Sequence, residues 1–288
     1  MKDRFGLGWR PELAAGILTN LDRIDIVEVI ADDYFDAAKS KRRALKTLAN
    51  QVPVALHGVT LGLASSVSVE GKRLEQTARL VDEIQPEFWS EHLAFVRGGG
   101  IEIGHLAAPP RTAATIDGGA RNLAAARTIV GALPLVENVA TLIDPPGSTL
   151  SEAVWTSEIL AAANCELLLD LHNLYANSVN FGFDPHDYID RIPEEQIGVI
   201  HLAGGRWIKA KSTDGRRLLD DHLHDVPEAV YELLHYVGEK TSHPLTVILE
   251  RDGRYPPIDV LLNQLDRARD ALRRGRTNQQ TRAVSEAA

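Results

Sequence analysis

The chain has 288 residues, 44% of them hydrophobic and 25% charged, the proportions of a soluble globular protein. Its formal net charge of −9 argues against a large nucleic-acid footprint, which needs a basic face. The lone cysteine, Cys165, excludes an internal disulfide or thiolate metal cluster, and no apolar run approaches the roughly 20 residues of a membrane span. The opening Met-Lys-Asp-Arg-Phe-Gly is not followed by the apolar stretch of a secretory signal, so a cytoplasmic location is expected.

In chain order, short apolar runs predict strands at 5–8, 24–30, 52–57, 88–92, 134–137, 167–170, 197–201 and 245–250. Amphipathic helices are expected between them. Leu13, Ala14, Ile17, Leu18 and Leu21 form a short stripe after Pro11. Val226, Ala229, Val230, Leu233, Leu234 and Val237 repeat at helical spacing. Ile258, Leu261, Leu262, Leu265, Ala268 and Leu272 do so again after Pro256-Pro257, a good helix start. Strand–helix alternation implies parallel strands, because a parallel crossover needs a helix. The strands lack polar alternation, as expected when both faces are covered. Eight such units predict an α/β fold, a (β/α)8 TIM barrel, spanning 1–272 as one domain. Residues 273–288 are polar without periodicity and read as a disordered tail. Two long loops, from 97 to about 112 and from 203 to 225, follow strands and so belong to the face that carries a barrel's chemistry. Gly98-Gly99-Gly100 matches no phosphate-loop signature and reads as a hinge or turn.

The chemistry lies in how the strands end. Val-Ala-Leu stops at His57, Trp-Ser at Glu91-His92, and Leu-Val at Glu137-Asn138. Leu-Leu-Leu stops at Asp170-Leu-His172, Val-Ile at His201, and Val-Ile-Leu at Glu250. A further group, Asp220-Asp221-His222-Leu-His224, lies in the second long loop. Imidazoles and carboxylates without sulfur suit iron, zinc or manganese. They outnumber the three or four protein ligands of a single zinc-type site, so bridging carboxylates would spread them over two or three ions. A carboxylate ending an apolar strand would be partly buried, and an unpaired buried charge is costly. A metal removes that cost, and so does an arginine; Arg251, beside Glu250, points to the opposite side of its strand. His105, His186, His235 and His243 read as structural or solvated. Glu28 shares the parity of Ile24 and Ile26, so it is expected to point inward, either to a ligand histidine or into a salt bridge. Arg206, Lys209, Lys211, Arg216 and Arg217 form a basic run that would meet an anionic substrate group if it folds over the active face.

The ligand order resembles the endonuclease IV branch of xylose-isomerase-like barrels. It is more similar to the multinuclear non-heme iron-dependent oxidases, which include the methanobactin-biosynthesis oxidase. The match is carried by Gly-Leu-Gly-Trp-Arg-Pro-Glu at 6–12, Leu-His-Gly-Val-Thr-Leu-Gly-Leu at 56–63 and Ser-Glu-His-Leu-Ala-Phe at 90–95. It continues through Glu137-Asn138-Val139, Leu-Asp-Leu-His-Asn-Leu-Tyr-Ala-Asn at 169–177, Asn-Phe-Gly-Phe-Asp at 180–184 and His-Leu-Ala-Gly at 201–204. Leu-Asp-Asp-His at 219–222 and Leu-Glu-Arg-Asp at 249–252 complete it.

The resemblance implies a barrel holding two or three iron ions. His57, His92 and Glu137 would hold one, and Asp170, His201 and Glu250 a second, with Glu137 as bridge. His172, Asp220 and His222 would hold a third. Asn138 and Asp252 are the candidate catalytic side chains. The implied reaction uses dioxygen to oxidise cysteine residues of a ribosomally made precursor peptide, with a partner protein delivering the peptide and no nucleic acid or membrane involved. Zinc or manganese is the alternative cofactor, and a metal-dependent hydrolase or isomerase acting on a sugar or phosphodiester is the alternative function. The chain departs from the pattern at His172, where many relatives have Asn, and at Gly205, where many have His. Ala31-Asp32-Asp33-Tyr34 replaces the usual Glu-Asn after the second strand.

Overall fold

The computed structural model describes residues 2–209 and 215–286. Twelve strands appear among them: β1 Arg4–Gly8, β2 Ile26–Ile30, β3 Val54–Gly58, β4 Trp89–His92, β5 Phe95–Gly98, β6 Ile101–Ala107, β7 Leu135–Glu137, β8 Leu167–Asp170, β9 Ile197–Leu202, β10 Gly205–Lys209, β11 Arg216–Asp220 and β12 Thr246–Leu249. The helices are α1 Ala14–Leu18, α2 Lys39–Ala49, α3 Gly71–Ile84, α4 Ala113–Val130, α5 Glu152–Ala163, α6 Leu171–Phe181, α7 Pro185–Arg191, α8 Glu228–Lys240 and α9 Ile258–Glu286. Eight of the strands close into a parallel barrel in the order β1-β12-β9-β8-β7-β4-β3-β2, with helices between them. Each predicted strand is present, with its ends moved by two residues or fewer.

By contact density the chain divides into two compact units. One comprises Met1–Ile24, Ala140–Leu142 and Leu169–Ala288; the other comprises Asp25–Val139 and Ile143–Leu168. In the second unit, β2, β3, β4, β7 and β8 pair in sequence, with Ile30 opposite His57, His57 opposite Ser90, and His92 opposite Glu137. This register puts Glu28, opposite Ala55, on the face that carries His57, and its side chain is buried. In the first unit β1, β12 and β9 pair, with Ile248 opposite His201.

The strands are continuous apolar runs because both of their faces are covered: Leu167, Leu168 and Leu169 are all fully buried. Helix stripes supply the covering layer. Val230, Leu233, Leu234 and Val237 of α8, and Leu261, Leu262, Leu265, Ala268 and Leu272 of α9, are buried as their spacing predicts. Each such leucine contributes about 1.5–3 kcal/mol. Helix starts have identifiable caps: Thr112 and Thr115 form a reciprocal capping box at α4, and Asp184 accepts from the His186 backbone at α7.

Three features differ from the sequence reading. The N-terminal stripe yields only the five-residue α1 after a 3-10 turn; Leu13 and Ile17 are buried while Leu18 is exposed. The two long loops fold into antiparallel hairpins, β5–β6 and β10–β11. The glycine triplet makes the first hairpin's turn, with Gly99 and Gly100 at φ of 58° and 79°. Helix α9 continues through the stretch that reads as a polar tail. Arg276 anchors it: its guanidinium donates to the Thr241 hydroxyl at 2.8 Å and to Asp3 at 3.1 Å. Those partners are distant in sequence, so local periodicity carries no trace of them.

Candidate metal centre

In the second unit, three predicted ligands meet. The ligand atoms of His57, His92 and Glu137 lie within 4.8 Å of one another. Glu137 Oε2 is 3.3 Å from the Nε2 of each histidine, and the two rings stack edge to face with centroids 4.6 Å apart. Each ring is oriented from behind. His92 Nδ1 sits 3.1 Å from the Gly58 carbonyl. A carbonyl only accepts, so this nitrogen carries the proton and Nε2 presents its lone pair towards Glu137. His57 Nδ1 lies 2.8 Å from the Ser90 hydroxyl, which can accept in the same way. Glu91, buried next to His92, receives the backbone N–H groups of Leu61 and His92 instead of facing the cluster. Its position explains Gly58, where an added Cβ would meet the Glu91 carboxylate at 2.7 Å.

In the first unit, Asp170, His201 and Glu250 form a second set within the same 4.8 Å limit. Asp170 ends β8 and caps α6, accepting from the Asn173 backbone at 2.7 Å. His201 Nδ1 is 3.1 Å from Glu250 Oε2. All three side chains are buried. Carboxylates so placed are costly unless cations neutralise them. Arg251 does not serve, because its guanidinium goes to Asp225 at 2.9 Å, as the strand parity predicts.

The remaining three predicted ligands are linked through Asp220. Its Oδ1 accepts from His172 Nδ1 at 2.6 Å. Its Oδ2 is 2.9 Å from His222 Nε2, but the angle there is not that of a hydrogen bond, and His222 Nε2 and His172 Nε2 are both buried without a hydrogen-bond partner. A buried imidazole nitrogen beside a carboxylate without bonding to it, as His222 Nε2 is, is an arrangement a cation would complete. Burial pushes the Asp220 carboxyl up, yet the charge of His222 and the His172 hydrogen bond outweigh that and hold it well below the usual carboxylate range. Burial pushes His222 down, and the charges of Asp220 and Glu250 overcome it and raise it well above the imidazole value. His222 adopts a left-handed backbone, φ 53°. This conformation is uncommon outside glycine, and strain of this kind gathers at functional sites.

Asp252 is half-exposed and lies 3.2 Å from His222 Nδ1, so it orients that ring. Arg10, which sequence reasoning passed over as a separate residue, donates to Asp252 through Nε at 2.9 Å and lies 4.0 Å from Glu250. Its only signal in the sequence was its place in the 6–12 stretch. Asn138 is buried beside Glu137 in the chain. Asn177 and Asn180, also in the matched segments, are organisers: Asn177 accepts from the Thr141 backbone, and the Asn180 amide pairs with both backbone groups of Leu218. Of the histidines read as structural or solvated, His186 bonds Asp184, and His243 bonds the Ile197 carbonyl.

The sequence profile of the RiPP precursor modification enzymes MbnB/TglH/ChrH matches residues 4–273. The chain belongs to this family. Among its relatives, a "UPF0276 protein" of Caulobacter vibrioides (strain NA1000 / CB15N) is 31% identical over 276 residues, covering 95% of this chain and 96% of that protein. A second, from Bordetella bronchiseptica, is 33% identical over 280 residues, covering 94% and 93%. A third, from Streptomyces avermitilis, is 33% identical over 279 residues; the match takes in 94% of this chain but only 55% of that longer protein. Solved structures share the family's fold. The xylose isomerase domain protein from Planctomyces limnophilus superposes with a TM-score of 0.59 at 12% identity, covering 98% of this chain and all of that one. A D-psicose 3-epimerase superposes at 0.56 with 13% identity, covering 96% and 99%. This MbnB/TglH/ChrH-family chain therefore has the (β/α)8 TIM-barrel fold of those structures. Among the described residues no helix is long and apolar enough to cross a membrane.

Proposed function

We propose that the chain is a multinuclear iron-dependent oxidase that uses dioxygen to modify a cysteine residue of a ribosomally made precursor peptide, presented by a partner protein. The observation that carries the proposal is the pair of ligand sets, His57/His92/Glu137 and Asp170/His201/Glu250, each gathering imidazole and carboxylate at strand ends. Membership of a RiPP precursor modification family supports the peptide as substrate.

The donors fit iron: nitrogen and oxygen without sulfur, mostly buried, with the ring of His92 fixed in the tautomer that frees Nε2. His57, His92 and Glu137 would hold one ion, Asp170, His201 and Glu250 a second, and His172, Asp220 and His222 a third. Glu137 is proposed as the bridge. It stands opposite Leu168, at the end of its strand. When bound, the ions supply redox and Lewis-acid chemistry towards dioxygen and a substrate thiolate.

The protein's own part is to hold and shield. Gly58 and Ser90 orient two ligand rings, Arg10 and Asp252 position His222, and burial excludes water from the ligands. Asn138 and Asp252 are assigned to contact the substrate or carry a proton. The test is anaerobic purification followed by metal analysis and Mössbauer and EPR spectra before and after oxygen. Two or more irons per chain whose spectra change on oxygenation are expected. Full occupancy by zinc alone, with hydrolase or isomerase activity, would replace this reading.

A further inference from the structure

The β10–β11 hairpin carries a concentration of positive charge in a chain of net charge −9. Lys211 of the basic run lies outside the described residues, and the hairpin's four other cations behave in two ways. Arg206 lies 3.1 Å from the Asp221 carboxylate, and Arg217 donates to the Asn180 carbonyl while its guanidinium lies over the Phe181 ring. These two are accounted for by the fold. Lys209 and Arg216 are not. They stand directly opposite each other in the antiparallel register, both exposed, and neither makes an ion pair among the described residues. Like charges facing across a strand pair destabilise it, and no ion pair among the described residues offsets this one. Beside them Trp207 is 44% exposed, with the Arg216 guanidinium 5.2 Å from its ring centroid. A cation stacked on an exposed indole forms a flat platform with its donors free.

Register also fixes where this platform points. Side chains alternate, so Trp207 and Lys209 share a face with Arg216, Leu218 and Asp220. That face begins at Asp220, which bonds the buried His172, and ends at Lys209 and Arg216. Four residues of strand separate them, about 14 Å at roughly 3.4 Å per residue.

We propose that the Trp207/Lys209/Arg216 face of the β10–β11 hairpin docks an acidic segment of the substrate peptide, about four residues from the residue that reacts. The inference rests on the peptide-modifying reading above and names what that peptide carries. Two cations suit a pair of carboxylates. A nucleic-acid backbone or an anionic membrane would call for more, of the order of 4–10 basic groups.

The test uses the metal-loaded full chain without dioxygen, so that binding is read apart from turnover. Fluorescence anisotropy compares labelled peptides bearing one cysteine and a Glu-Glu pair four residues away, on either side, with Gln-Gln counterparts. One acidic peptide is expected to bind about tenfold tighter than its amide counterpart, as for charge-assisted contacts, with the difference lost in 0.5 M salt (roughly 4 Å screening). The K209Q/R216Q variant should lose the preference with metal content unchanged, and K209E/R216E should favour a Lys-Lys peptide. Equal binding of acidic and amide peptides, a preference that survives K209Q/R216Q, or equally tight binding of a single-stranded oligonucleotide would overturn the proposal. Because no turnover is involved, an absence of cysteine oxidation when oxygen is admitted would refute the oxidase reading alone. Oxidation without acid preference would refute only the docking face.

Discussion

His222 Nε2 lies 2.9 Å from Asp220 Oδ2 at an angle that makes no hydrogen bond. In the metal-free protein this pair is held by charge. Asp220 is pulled below the ordinary carboxylate value of 3.8 and His222 is raised well above 6.5. Asp220's share of stability is present above 3.8 and lost as pH falls through its folded value. His222's share is complete below 6.5 and lost as pH rises through its raised value. Binding of the proposed third ion needs the neutral imidazole, so loading at neutral pH is expected to expel that proton. Calorimetry in buffers of different ionisation enthalpy should show proton release, with affinity rising with pH. His222→Ala should abolish that release, and its persistence would place the proton elsewhere.

Glu137 touches both His57 and His92 at 3.3 Å and is proposed to serve a second ion as well. Glu137→Ala should therefore lower bound metal by more than one ion per chain, measured by elemental analysis against a protein assay. Loss of one ion would show that Glu137 serves a single site.

Gly205 is required by its surroundings. An added Cβ would press on the Leu219 carbonyl and meet His172 Cε1 at 2.6 Å. Gly205→Ala should lower stability by about 1–3 kcal/mol, the usual penalty for overpacking, and displace His172 from Asp220. Denaturant unfolding with metal analysis reads both. Adding His172→Ala should recover part of the stability but none of the metal, since the Leu219 contact remains and the ligand is gone.

Cys165 is buried, and that burial pushes its thiol up to about 12. At pH 8 roughly one molecule in ten thousand carries the thiolate. An aromatic disulfide reagent should find no reactive thiol in the native protein and one per chain in denaturant. Rapid native labelling would mean that the β8 region opens readily.

The barrel was legible in the sequence because both faces of its strands are covered: most of them are apolar runs, and six stop at a polar residue. Most of the nine ligand candidates were legible for the same reason, since a carboxylate or imidazole ending such a run is drawn into the barrel and must find a partner there. The grouping came from the family resemblance and not from any local pattern. Which Glu137 oxygen meets which imidazole depends on register between strands far apart in the chain, and register follows from how the barrel closes. Arg10 reaches Asp252 across 242 positions, a contact no local pattern encodes. The basic run was visible as composition, but only the pairing of β10 with β11 set Lys209 against Arg216 and aligned both with Asp220. Local periodicity and chemistry belong to the sequence. The direction and distance between side chains belong to the tertiary structure, because they are fixed by hydrogen-bonded neighbours that the sequence does not place next to one another.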